Sequence, residues 1–268
     1  MKKLAIIIIL IFIGSILQAN NAVNLLEATK LGSYDSVKDF IGNGSNVNIK
    51  DKWGTTPLHI ASWKGFSNIV KLLIENGADI NAKDYLKFTP LHWSALKGHT
   101  QVVKLLLEKN AEVNNKNYEG MTPLHEALYG NNSHIVKLII NKGADINAKV
   151  ESGLYKGMTP LHWAVWNEMD ELIKLLIEKG ADINSRTTGR AIFSGFTLGK
   201  DTTPLHLAVI KDNIQIVEFL TEKNADISVK NDFGKTAFDY SVSKKMTALL
   251  YWAKANQVYK KEKGNVKK

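Results

Sequence analysis

The string Thr-Pro-Leu-His occurs five times in this chain, at Thr56–His59, Thr89–His92, Thr122–His125, Thr159–His162 and Thr203–His206. A degenerate copy, Thr236–Asp239, follows. Successive threonines stand 33, 33, 37, 44 and 33 residues apart. A recurrence of this length restricts a chain to architectures assembled from stacked supersecondary units. The two long intervals are the same unit with insertions of 4 and 11 residues, near 150–156 and 187–201.

The rest of the unit repeats with the string. A small residue follows it (Ala61, Ser94, Ala127, Ala164, Ala208), and then an apolar stretch such as IVKLLIENGADIN or LIKLLIEKGADIN. Thr before Pro predicts a helix start, because Thr caps the free N–H groups and Pro lacks the one N–H that the first turn leaves unpaired. The first helix of each unit is short and is expected to end at Gly65, Gly98 or Asn131. The second carries apolar residues at helical spacing, as in Ile69, Val70, Leu72 and Leu73. It is expected to stop at Gly77, Asn110, Gly143, Gly180 or Asn224, residue types that tolerate a left-handed C-cap. The segment 24–48 fits the same frame without the signature string. A lone unit cannot bury its apolar face, so stability comes from stacking and the terminal copies should be atypical.

The period, TPLHxA and the VVKLLLxxGADIN-like stretch together resemble the ankyrin repeat, over residues 24 to 251. The resemblance implies an all-α solenoid of stacked helix–turn–helix units with β-turn or hairpin tips. It divides the chain into an N-terminal capping repeat (20–50), five repeats (51–230), a degenerate C-terminal capping repeat (231–253) and a basic tail (254–268). It also implies that each TPLH histidine hydrogen-bonds between neighbouring turns, and that the protein is a non-enzymatic scaffold binding another protein, expected as a monomer.

Residues 1–19 read as a signal peptide: Lys2 and Lys3, an apolar run from Leu4 to Leu17, and Ala19 before the cut. The expected location is therefore the periplasm or the exterior. An alternative keeps this segment as an anchor, the protein then being a membrane-tethered module with a lipid-contacting tail. Of the net charge of +9, Lys2 and Lys3 carry +2 and residues 254–268 carry +5, which leaves the body nearly neutral. That balance gives no expectation of nucleic-acid binding, and the tail reads as a solvated, fraying terminus. The absence of cysteine excludes disulfides, thiolate metal sites and a cysteine nucleophile.

Three patterns invite chemistry. The five TPLH histidines suggest a metal ladder, but repeats spaced by about 10 Å cannot bring them to one ion with bonds near 2 Å. His99 and His134 stand isolated. The ladder of Asp79, Asp145, Asp182 and Asp226, with Glu112, is equally spaced and reads as turn capping. The segment 187–201 holds Gly195, Gly199 and Lys200, but a phosphate loop needs four residues between its glycines and Ser or Thr after the lysine, where Asp201 stands. An enzyme using this loop is a remote alternative, and no metal or cofactor is expected.

The resemblance places partner binding at the tips and on the exposed side of the first helix. Near the end of each first helix stand Trp63, Leu96, Tyr129, Trp166 and Ile210. The tips carry Trp53, Tyr85, Leu86, Phe88, Tyr118, Met121 and Phe233, and Lys64, Lys97 and Lys211 lie beside the stripe. Exposed aromatic clusters mark interaction sites. The candidate partner-binding set is therefore Trp53, Trp63, Tyr85, Phe88, Leu96, Tyr118, Tyr129, Trp166 and Ile210. The competing reading packs these side chains against the next repeat. Phe193 and Phe196 in the insertion extend the surface or belong to an idle loop.

Overall fold

A computed structural model describes residues 25–193 and 196–265, without the side chains of 191–196, 261 and 264–265. The signal-peptide segment and the rings of Phe193 and Phe196 lie outside the described part. The chain forms two compact units that divide between Asn117 and Tyr118. Among the described residues, no helix is long and apolar enough to cross a membrane.

In the first unit, helical residues 25–31 (α1) and α2 (Tyr34–Gly42) precede two full pairs, α3 (Pro57–Lys64) with α4 (Ser67–Glu75) and α5 (Pro90–Lys97) with α6 (Thr100–Glu108). First helices pack on first helices and second on second, α3 against α5 and α4 against α6. The second unit contains α7 (Pro123–Tyr129), α8 (Ser133–Asn141), α9 (Pro160–Trp166), α10 (Asp170–Glu178), the hairpin β1–β2 (Ala191–Phe193, Phe196–Leu198), α11 (Pro204–Ile210) and α12 (Ile214–Glu222). A 3-10 turn (Ala237–Tyr240) and α13 (Lys244–Asn265) close it.

Each first helix starts as its sequence dictates. Thr56, Thr89, Thr122, Thr159 and Thr203 are N-caps in extended conformation, and Pro opens each helix. The histidine three residues on takes the place of the acidic residue in a capping box and accepts the threonine N–H at Nδ1, as in Thr56 to His59 at 3.2 Å. The expected stops of the second helices hold: Gly77, Asn110, Gly143, Gly180 and Asn224 all have positive φ. Gly65 and Gly98 end α3 and α5 in the left-handed conformation. α7 ends one residue before the expected place, at Tyr129, with Gly130 as its cap and Asn131 left-handed after it.

The cores sit between stacked pairs. Leu58 and Leu91 in one unit, and Leu124, Leu161 and Leu205 in the other, are buried, as are the small residues Ala61, Ala127, Ala164 and Ala208, which let neighbouring helices approach. Residues 254–265 of the basic segment continue the last helix. α13 runs through residue 254 to Asn265, packs on α12, and buries Met246, Leu250 and Ala253. Gln257 donates to the Ala225 carbonyl at 2.6 Å and Lys260 to Asn224 Oδ1 at 3.4 Å, so the helix is held to the repeat as far as these residues.

Candidate functional site

The tips are built by side chains that stand in for backbone. Asp51 Oδ1 accepts the N–H groups of Trp53 and Thr55, and Asp84 Oδ1 accepts those of Leu86 and Phe88. Asn231 does the same for Phe233 and Lys235. Each such turn is closed by one backbone pair, Asp51 N–H to the Thr55 carbonyl or Asp84 to Phe88. The same closure reappears as Val150 to Met158 and Thr187 to Thr202. Both insertions therefore lengthen the tip and leave the helical frame untouched. The longer one extends into β1–β2, with Phe193 paired to Phe196. Its Thr187 and Thr202 hydroxyls donate to the Gly199 carbonyl. Tips are also tied to their neighbours: Tyr85 N–H donates to the Trp53 carbonyl in the first unit, and Glu151 N–H to Glu119 in the second.

In the first unit, Trp53, Trp63 and Trp93 converge with His59, Ile60, Asp51, Thr55, Lys30 and Lys64 around a pocket of about 410 Å³. Trp63 and Trp93 are tilted at 6.3 Å, and Phe88 stacks on Trp93 at 4.6 Å. Trp93 Nε1 donates to Asp84 Oδ2 at 3.2 Å, which fixes the indole. Trp63 is 45% exposed. The Lys64 and Lys97 ammonium groups lie 5.2 and 5.6 Å from its ring centre, and Lys52 lies 5.1 Å from that of Trp53. Asp51 and Asp84 hold their own turns and keep their charge. Lys30, Lys52, Lys64 and Lys97 outnumber them, so the rim presents an apolar floor under net positive charge.

The second unit has a different face. Trp163 is buried, with Tyr129 edge-on at 5.5 Å and Tyr155 at 4.6 Å. Trp166 is half-buried beneath Lys211, which also pairs with Glu168 at 3.0 Å. At the place where other copies carry Ile60, Trp93, Trp163 or Leu207 stands Glu126, 3% exposed. Burial, and secondarily the charge of Glu119, pushes its carboxyl up to about 8.

The histidine ladder is structural. His59 Nε2 reaches the Phe88 carbonyl at 3.0 Å, His162 the Thr202 carbonyl at 3.1 Å and His206 the Lys235 carbonyl at 3.2 Å. A carbonyl only accepts, so Nε2 carries the proton and Nδ1 is left to accept the threonine N–H. Burial pulls His162 down to about 4 and lowers His59 and His206, which keeps the neutral tautomer in place. The aspartates cap turns as expected: Asp79 accepts from Asn81, Asp145 from Asn147 and Asp182 from Asn184. The following asparagines couple repeats, Asn48 Oδ1 accepting Asp79 N–H and Asn147 Oδ1 accepting Asp182 N–H. Among the described residues, no three His, Asp or Glu side chains gather as metal ligands would.

Of the candidate residues, Trp53, Trp63, Tyr85, Tyr118 and Tyr129 are exposed, as are the tip residues Leu86 and Phe233. Phe88, Leu96, Trp166 and Ile210 are half-buried. Phe88 turns inward because its N–H is pinned to Asp84 and its ring stacks on Trp93. Met121 is buried and belongs to the core. His99 is not isolated, since its Nε2 meets the Trp63 carbonyl at 2.8 Å and steadies the end of α3. Trp93, Trp163, Tyr155 and Glu126 escaped the sequence reading. The position after TPLH carries Ile, Trp, Glu, Trp and Leu in turn, so no single residue type marks it in every copy.

Models of ankyrin repeats match residues 25–117 and 112–187 (three copies) and 197–241 (many copies). No curated protein matches the chain. Ankyrin repeats are generally protein–protein interaction modules and typically non-enzymatic. The capped TPLH helices, the histidine and asparagine ties between copies and the matched segments lead to one assignment: the chain belongs to the ankyrin-repeat family.

Proposed function

We propose that this protein is a binding scaffold that holds a partner protein through the tips and first-helix faces, with the pocket of Trp53, Trp63 and Trp93 as its principal anchor point. The observation that carries the reading is three tryptophans converging on one cavity of about 410 Å³ beneath lysines. Tryptophan dominates binding energy where it is ringed by groups that exclude water. The pocket suits an apolar or aromatic side chain, and Lys52, Lys64 and Lys97 suit acidic residues flanking it.

The test is affinity capture with the full chain and with Trp63→Ala, whose half-exposed ring can be removed without opening the core. A partner recovered by the parent is expected to be lost by roughly thirtyfold or more, the effect of a hot-spot residue worth about 2 kcal/mol. Equal recovery would remove this pocket from the binding site. We further propose that the scaffold acts in the periplasm or outside the cell. The support is the lysine pair, apolar run and small residue of positions 1–19. Mass spectrometry of the mature chain should begin at Asn20, and retention of Met1 would instead give the tethered form.

A further inference from the structure

α13 has two apolar faces. Met246, Leu250, Ala253 and Gln257 recur every three or four residues and form the face that docks on α12. The opposite face carries Tyr251, Trp252, Val258 and Tyr259, between 49% and 62% exposed, with exposed Ala255 between them. The Tyr251 ring meets that of Phe238 edge-on at 4.6 Å, and Tyr251 and Val258 border a cleft of about 460 Å³ shared with Ile227, Thr236 and Phe238, while Trp252 and Tyr259 lie outside its lining. A terminal repeat ordinarily shows water a polar outer side. This one shows it tryptophan and tyrosine.

The flanks are basic. Lys245 and Lys263 lie along the Trp252–Tyr259 side and Lys254 along the Tyr251–Val258 side, the ammonium of Lys263 standing 4.9 Å from the Tyr259 ring. The helix carries six lysines and one glutamate over residues 244–265. Two copies of a face with this charge repel one another. Trp and Tyr, rather than Leu and Ile, are the side chains that settle at the level of lipid headgroups, and lysines beside them are drawn to anionic lipid.

We propose that the outer face of α13 is a docking surface for an anionic membrane, lying flat on the headgroups while its inner face stays on α12. Binding is shallow and reversible, since the apolar stripe is short and the attraction is shared with charge. The face is built by the second unit and the tryptophan pocket by the first.

The chain has no cysteine, so Ala255→Cys labelled with an environment-sensitive dye reports this face alone. With vesicles of phosphatidylcholine and phosphatidylglycerol, the emission should shift to the blue and brighten, and salt should reverse it. Pure phosphatidylcholine should leave it unchanged. Trp252→Ser with Tyr259→Ser, both outside the core, should weaken the response roughly tenfold, and Lys254→Gln roughly fivefold. A label at Lys71→Cys on α4 should stay silent. An Ala255 label that ignores anionic vesicles, or answers neutral ones equally, overturns the proposal. A shift that follows protein concentration without lipid assigns the face to a second copy, and one that follows only an added acidic polypeptide assigns it to a protein. Either result also overturns the proposal.

Discussion

Replacing Glu126 with Gln should stabilise the second unit, and by an amount that depends on pH in a stated direction. Glu126 sits 3% exposed in α7 with its carboxyl raised from 4.5 to about 8, first by burial and then by Glu119. A carboxyl raised in the folded state binds its proton more tightly there than in the unfolded chain. Its contribution to stability is fully present below pH 4.5 and is lost as pH rises toward 8. Each unit of pH across that window costs about 1.4 kcal/mol, so the penalty is about 3 kcal/mol at neutrality and about 5 kcal/mol near pH 8. Gln has the shape of the neutral acid and no proton to lose. Denaturant unfolding of the parent and Glu126→Gln, followed by far-ultraviolet circular dichroism, should coincide near pH 4 and separate by several kcal/mol near pH 8, with the variant more stable. Glu119→Gln should give a smaller gain of the same sign, because it removes only the lesser cause. Equal stabilities near pH 8, or the same gain at both pH values, would refute the argument from burial.

Two further outcomes follow from the same framework. His162 is held down to about 4 by burial, so its contribution is present above about pH 6.5 and is lost at about 1.4 kcal/mol per unit as pH falls toward 4. In a Glu126→Gln background, which removes the opposing slope, His162→Asn should flatten that acid limb, and an unchanged limb would place the titration elsewhere. Gly157→Ala, at φ +83°, would drive its Cβ into the Thr188 N–H, which donates to Lys156. The expected loss is about 3 kcal/mol by thermal or denaturant unfolding, against about 1 kcal/mol for Gly143→Ala, whose Cβ meets nothing at φ +85°.

Much of the fold was legible because its signals are local. A threonine that caps, a proline in the first turn and a glycine or asparagine at each stop act within a few residues, so they read the same in every copy. The insertions were legible as numbers, 4 and 11 residues, and their place at the tips follows from which backbone pairs close them, Val150 with Met158 and Thr187 with Thr202. The site was legible only in part. Tip residues such as Trp53 and Tyr85 project outward because Asp51 and Asp84 bind the turn beneath them. Trp93 could not be found that way, since its partners Trp63, Phe88 and Asp84 come from two repeats and only folding brings them together.

The C-terminal segment shows the opposite failure, a periodic signal hidden under composition. Met246, Leu250, Ala253 and Gln257 stand at helical spacing in the sequence, yet the lysines among them draw the eye to charge. Charge and docking are compatible here because a helix has more than one face. Lys245, Lys254 and Lys263 occupy the flanks and are exposed, and the Lys263 ammonium stands over the Tyr259 ring. A lysine-rich terminus therefore becomes a frayed tail or a docked helix according to whether a stripe of apolar residues survives between the charges. In this chain the stripe survives twice, once toward α12 and once away from it. The first accounts for the order of α13, and the second is the surface that anionic vesicles would test.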